Sequence, residues 1–217
     1  MTNDGFRLLI AGGDVDGIRS ALKSEPALAN RTIHWFLNQD NESDPLHYVS
    51  DCFGHGWLTN GKEGAVAAVL LASGAAIDGS ETRESPLIAS ASLGAEQVSR
   101  VLVEAGAALE KTSVFGARAL HWAAWIGTPS TVELLIEHDA DIEAKCSEFA
   151  ATPLFWAVHG YGPNGPRPKR DQVEVARVLI QAGAAVETVN KDGLSAIELS
   201  KLGEKRDINE LLRQHGA

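Results

Sequence analysis

Pairs of apolar residues recur along the chain at Val69-Leu70, Val101-Leu102, Leu134-Leu135, Val178-Leu179 and Leu211-Leu212. In most copies a further apolar residue stands four places before the second member, at Val66, Val98, Val175 and Ile208. The copy around Leu134 departs, with Thr131 at that place and Val132 one position on. Residues three and four apart share a helical face, so each run predicts an amphipathic helix with one buried stripe. Each run leads into a short ending: Gly74-Ala75-Ala76-Ile77, Gly106-Ala107-Ala108-Leu109, Asp139-Ala140-Asp141-Ile142, Gly183-Ala184-Ala185-Val186 and Gly216-Ala217. Successive endings lie 32, 33, 44 and 33 residues apart. Glycine there predicts a helix C-cap, because it enters the left-handed region without steric cost.

A second marker opens each unit: Asp44-Pro45-Leu46-His47-Tyr48, Ser85-Pro86-Leu87-Ile88-Ala89, Arg118-Ala119-Leu120-His121-Trp122, Thr152-Pro153-Leu154-Phe155-Trp156 and Ser195-Ala196-Ile197-Glu198-Leu199. Ser or Thr followed by Pro is a helix start, a hydroxyl to cap free N–H groups and then a ring preset to helical φ. These openings and endings resemble the ankyrin repeat, whose consensus opening is Thr-Pro-Leu-His-x-Ala. The resemblance covers roughly residues 4–217. It implies an all-α fold, an ankyrin-repeat solenoid of about six helix–turn–helix units with short β-hairpin loops.

A single domain over 1–217 is expected, divided into a capping repeat at about 4–40, repeats at about 41–79, 80–112, 113–145 and 146–188, and a C-terminal cap at 189–217. The first cap rests on Leu8-Leu9-Ile10-Ala11-Gly12-Gly13-Asp14 followed by Ile18 and Leu22, and the last on the polar run Arg206-Asp207, Asn209-Glu210, Arg213-Gln214. Terminal repeats must present such a face to water, and caps at both ends predict a complete array.

Two units are longer than the others. The opening-to-ending distance is 19 residues for Leu87 to Gly106, Leu120 to Asp139 and Ile197 to Gly216, but 28 for Leu46 to Gly74 and 29 for Leu154 to Gly183. Both expansions fall between the two helices of their unit. The first, 53–64, is glycine-rich and carries Phe53, His55 and Trp57; the second, 160–170, is basic and rich in Pro and Gly. Insertions in repeat arrays map to loops on one face, which is often a binding face.

In ankyrin proteins the residue after Leu-His and the one three further on face a groove. Transferred position by position, the resemblance implies a groove lined by Tyr48 and Asp51, Ala89 and Ser92, Trp122 and Trp125, and Trp156 and His159. Three of the chain's five tryptophans fall in two adjacent units, and aromatic anchors serve both protein hot spots and small-ligand pockets. Phe115 and Phe149 stand near the tips of two hairpin segments and are further contact candidates. His47 and His121 occupy the consensus His slot, where the ring bonds backbone in the turn. No catalytic set is assigned; an acid–base role would draw on His159, Asp51 or His55.

A net charge of −10 argues against a binder of phosphate backbones, which needs a basic footprint, and fits a basic protein partner or simple solubility. Two cysteines without a CxxC spacing argue against a disulfide framework or a structural zinc. The N-terminus lacks signal-peptide features and no apolar run is long enough to span a bilayer, so a cytoplasmic protein is expected. No HExxH, GxGxxG, GxxxxGK[ST] or GxSxG motif is present. The expectation is a non-enzymatic scaffold that binds a protein or peptide on its concave inner-helix face, without cofactor, metal, nucleic acid or membrane. A small-molecule or enzymatic site built on the same aromatic residues stays open as the alternative.

Overall fold

The computed structural model of the protein describes residues 2–35, 41–162, 165–166, 171–202 and 205–215. Among them are twelve α-helices: α1 (Asn3–Ala11), α2 (Val15–Ser24), α3 (Pro45–Gly54), α4 (Glu63–Ala72), α5 (Pro86–Leu93), α6 (Glu96–Glu104), α7 (Ala119–Ile126), α8 (Pro129–Glu137), α9 (Pro153–Gly160), α10 (Gln172–Gln181), α11 (Ala196–Lys201) and α12 (Arg206–His215). The chain divides into two compact units, Met1–Ala108 and Leu109–Ala217. In the first, α1, α3 and α5 pack side by side as one layer and α2, α4 and α6 as the other. The second repeats the arrangement with α7, α9 and α11 against α8, α10 and α12.

The periodic apolar residues form the interior. Val66, Leu70, Val98, Leu102, Val132, Leu135, Val175, Leu179, Ile208 and Leu212 are all completely buried. In the departing copy Val132 takes the buried place and Thr131 is buried beside it. Helix starts follow the expected chemistry at Ser85 and Thr152, whose hydroxyls accept from the N–H of Ile88 at 3.3 Å and Phe155 at 3.4 Å. Ser195 and Glu198 form a reciprocal capping box. Gly74, Gly106 and Gly183 take positive φ at the helix ends, and Asp139 adopts the same left-handed turn at φ 66° where the fourth copy lacks glycine.

A feature invisible in the opening and ending motifs links neighbouring copies. The third residue of each of the first four endings donates its backbone N–H to a side chain one copy earlier: Ala76 to Asn30 at 2.7 Å, Ala108 to Asp78 at 2.9 Å, Asp141 to Glu110 at 3.2 Å and Ala185 to Glu143 at 2.7 Å. Three of the acceptors are carboxylates, which make the stronger kind of hydrogen bond.

The hairpin loops differ from expectation. The one two-stranded sheet among the described residues pairs β1 (Ile33–Trp35) with β2 (Asn41–Ser43). Elsewhere the loops are tight turns, closed by Ser113 N–H to Ala117 O, Cys146 N–H to Ala151 O and Asn190 N–H to Leu194 O. Three to four residues between bonded partners leave no length for a ladder beyond the single bridge of Val189 with Ser195. The first insertion forms the loop between α3 and α4, as its place in the repeat implied. Much of the second, at 163–164 and 167–170, lies outside the described residues, as does the final Gly216-Ala217 ending. Cys52 and Cys146 are both free and buried.

Candidate functional site

Trp122 and Trp125 project from α7, and Trp156 and His159 from α9, in each case three residues apart and hence on one helical face. With Leu199 of α11 and the loop residues Phe115, Phe149, Asn190 and Asp192 they surround a cavity of about 540 Å³ within Leu109–Ala217. Six of the seven binding residues nominated from sequence therefore share one wall: Trp122, Trp125, Trp156, His159, Phe115 and Phe149.

The tryptophans interlock edge to face, Trp122 against Trp156 at 5.2 Å and 74° and against Trp125 at 6.0 Å and 88°. That arrangement is preferred over flat stacking because ring edges are positive and ring faces negative. Neighbours that the repeat pattern did not single out hold the Trp122 ring and the backbone beside Trp125. Ser113 Oγ accepts the indole N–H of Trp122 at 2.7 Å. The buried amide of Gln172 donates to the carbonyls of Trp125 at 3.2 Å and Ile126 at 3.1 Å, fixing the end of α7. Phe155 stands in the consensus His slot and packs into the same cluster, a departure that was legible in Leu154-Phe155.

The loop side is built from backbone under constraint. Phe115 takes φ 66° and Ala150 φ 48°, conformations that non-glycine residues seldom adopt. Such residues persist only where surrounding contacts over-determine them, and they cluster at binding sites. Phe115 and Phe149 pack at 5.4 Å, and the ammonium of Lys191 lies 4.9 Å from the centre of the Phe149 ring. Phe115 stays 40% exposed, beside Val114 at 62%. Asn190 organises the opposite loop by accepting from the N–H groups of Asp192 and Leu194, both at 3.0 Å.

The His159 ring makes no hydrogen bond among the described residues, and burial and the nearby Lys205 hold its pKa below the ordinary histidine value. The imidazole is therefore largely neutral at pH 7. The carboxylate lining the cavity, Asp192, belongs to the loop before α11, whereas His159 lies on the last turn of α9.

Tyr48 requires a correction. It lies in Met1–Ala108 with no exposed surface, because Trp35 of β1 and Trp57 of the first insertion cover it at 5.9 and 6.5 Å. Both covering residues come from segments outside the repeat pattern, so an otherwise groove-facing position is roofed. Asp51 is also buried; it accepts from Ser43 Oγ at 2.6 Å, and Ser43 Oγ in turn accepts from Trp35 Nε1 at 2.9 Å. Its carboxylate is thus engaged in holding the hairpin on α3. His55 is exposed and stacks on Trp57 at 4.8 Å. Of the three acid–base candidates, Asp51 and His55 belong to the first unit and His159 to the second.

Among the described residues no cluster of three or more His, Cys, Asp or Glu is arranged to hold a metal. No helix among them is long and apolar enough to cross a membrane. Residues 55–146 match the family model described as ankyrin repeats, in three copies. No curated protein matches the chain.

Proposed function

We propose that this ankyrin-repeat chain is a non-enzymatic binding module that receives apolar side chains of a protein partner in the Trp122–Trp125–Trp156 cavity. Ankyrin repeats are in general protein-interaction modules. The observation that carries the reading is the convergence of three tryptophans and two loop phenylalanines on one cavity. Large aromatic residues in a recess are what interface hot spots are made of. The exposed apolar side chains of Val114 and Phe115 beside it, with Val189 45% exposed in the same unit, supply surface that a partner would cover. In this reading the repeats number about six, the whole chain acts as one domain, and Tyr48 has no part in binding.

The cavity volume supports a second reading. About 540 Å³ lies in the range of small-molecule pockets, so an apolar small molecule is the alternative occupant. An enzymatic version has less support, because His159 has no hydrogen-bonded carboxylate to orient it among the described residues.

The test uses a partner purified from the native host by affinity capture, with its affinity then measured by calorimetry. Trp125→Ala weakens that affinity by about 2 kcal/mol or more and leaves the unfolding midpoint nearly unchanged. A lower midpoint with unchanged affinity makes Trp125 a packing residue and removes the proposal. Binding of a small apolar compound that competes with no protein selects the second reading.

A further inference from the structure

We infer that the cavity takes an arginine side chain of the partner, its guanidinium flat against the tryptophan faces and paired with the carboxylate of Asp192. The inference rests on the binding-module reading and adds the charge of what is bound. The arginine enters beside the partner's apolar side chains, since about 540 Å³ is room for a drug-sized ligand rather than for one side chain.

The lining is negative. Of the residues that form it only Asp192 is charged at pH 7, because burial and Lys205 keep His159 largely neutral. The Asp192 carboxylate is exposed and has neither an ion pair nor a hydrogen bond among the described residues. Its backbone N–H alone is engaged, with Asn190 at 3.0 Å. A second acid, Glu148, stands at the rim. It precedes the lining residue Phe149 and donates its backbone N–H to the carbonyl of Phe115, another lining residue, at 3.0 Å. Its carboxylate likewise has no ion pair among the described residues. Two neighbouring lysines do not line the cavity: Lys205 packs on the turn that follows α9, and Lys191 sits over Phe149. The whole chain carries a net charge of −10, which draws in a basic partner.

The walls suit the same charge. The face of an aromatic ring attracts a cation, tryptophan most strongly. One such contact is already made at the rim, where the Lys191 ammonium lies 4.9 Å from the centre of the Phe149 ring. Trp122 and Trp125 line the cavity and stay partly exposed. They meet at 88°, so their contact covers the edge of one ring and a single face of the other. Ring face is thus left for a guest.

An apolar guest alone would cover the Asp192 carboxylate and leave it with neither water nor a partner, which is costly. Among cations the site favours a guanidinium. An ammonium is a compact, strongly hydrated point charge that loses much of its water on entering an aromatic recess. A guanidinium is planar and weakly hydrated, stacks on aromatic faces and meets a carboxylate through two parallel N–H groups. Its apolar stem lies along the ring walls. The exposed Val114, Phe115 and Val189 give the flanking residues of a protein partner a surface to cover.

The probe is an acetylated pentapeptide amide with arginine at its centre and alanine elsewhere, compared with the same peptide carrying citrulline, which keeps the shape and loses the charge. Lysine, trimethyllysine and leucine versions and free arginine complete the set. The intact chain binds the arginine peptide at least about tenfold more tightly than the citrulline peptide, and the preference shrinks with added salt. Asp192→Asn brings the arginine peptide down to the affinity of the citrulline peptide and leaves the latter unaffected; Asp192→Glu retains the preference. Equal binding of arginine and citrulline peptides to the unaltered protein overturns the inference and needs no variant to read. A lysine, trimethyllysine or leucine peptide binding as tightly as the arginine peptide overturns the guanidinium, and free arginine doing so overturns the protein source. If no peptide binds but Trp125→Ala still weakens the captured partner, this inference fails and the binding-module reading stands.

Discussion

His47 and Asp51 face each other one turn apart on α3, with Nε2 of the ring 3.6 Å from Oδ1 of the carboxylate. The other ring nitrogen, Nδ1, meets the carbonyl of Glu84 at 3.1 Å. A carbonyl only accepts, so Nδ1 carries a proton, and a neutral ring would then turn the Nε2 lone pair toward a carboxylate. Burial by itself would push this pKa down. The Asp51 carboxylate and the Glu84 carbonyl outweigh it and hold His47 above the ordinary value.

A stability dependence with a definite sign follows. A folded-state pKa above the unfolded value of about 6.5 means that the contribution of His47 is complete below that pH. It is lost as pH rises through the folded pKa. His47→Gln is expected to cost about 1–2 kcal/mol at pH 6 and much less at pH 9. Unfolding midpoints of both proteins across that range test it; a difference that does not shrink with rising pH excludes the charged pair.

His121 holds the same slot in its repeat and behaves oppositely. Its Nδ1 accepts the backbone N–H of Arg118 at 3.2 Å, and Nε2 donates to the Ala151 carbonyl at 3.2 Å. Protonation would break the first of these bonds inside a fully buried site. Burial accordingly pulls the pKa down to about 4. Because the folded value is depressed, stability from His121 is present above pH 6.5 and is lost as pH falls toward 4. The full effect is on the order of 3 kcal/mol. Proton NMR of the ring is the direct check, and a His121 titration near pH 6.5 would contradict the buried neutral ring.

Gly160 ends α9 directly against α7. A Cβ added there would lie 2.2 Å from the Trp125 carbonyl oxygen, which is backbone and cannot rotate aside. Gly160→Ala therefore forces the two helices apart beneath the cavity. The expected loss is about 1–3 kcal/mol of stability, together with weaker partner binding, since Trp125 and His159 move with their helices. Denaturant unfolding measures the first, and an unchanged midpoint would mean that α7 and α9 are less closely set than described.

The contrast between His47 and His121 marks what the repeat pattern conveys. Both stand three residues after a helix cap in Leu-His openings, and the sequence identifies them as structural ring–backbone contacts. Which nitrogen bonds, and whether the ring is charged, depends on Asp51 in one copy and the Arg118 N–H in the other. The cavity divides in the same way. Trp122, Trp125, Trp156 and His159 were legible because the resemblance to ankyrin repeats turns those two positions, three apart on one helix, toward a groove. Asn190, Asp192, Leu194 and Leu199 were not, because their shared position comes from loops and helices brought together from distant parts of the chain.

By itself, then, the sequence determined the helices, their caps, the buried Val and Leu stripe and the place of both insertions. These depend on spacings of a few residues and on a motif repeated often enough to align. Tertiary structure alone decided that Trp35 and Trp57 would roof Tyr48, that acidic side chains would latch the N–H groups of the next copy, and that Lys205 would pack on the turn beside His159. Each of those contacts joins residues that no local period relates. Their energies come from burial and from missing or satisfied partners, which exist only once the helices have packed.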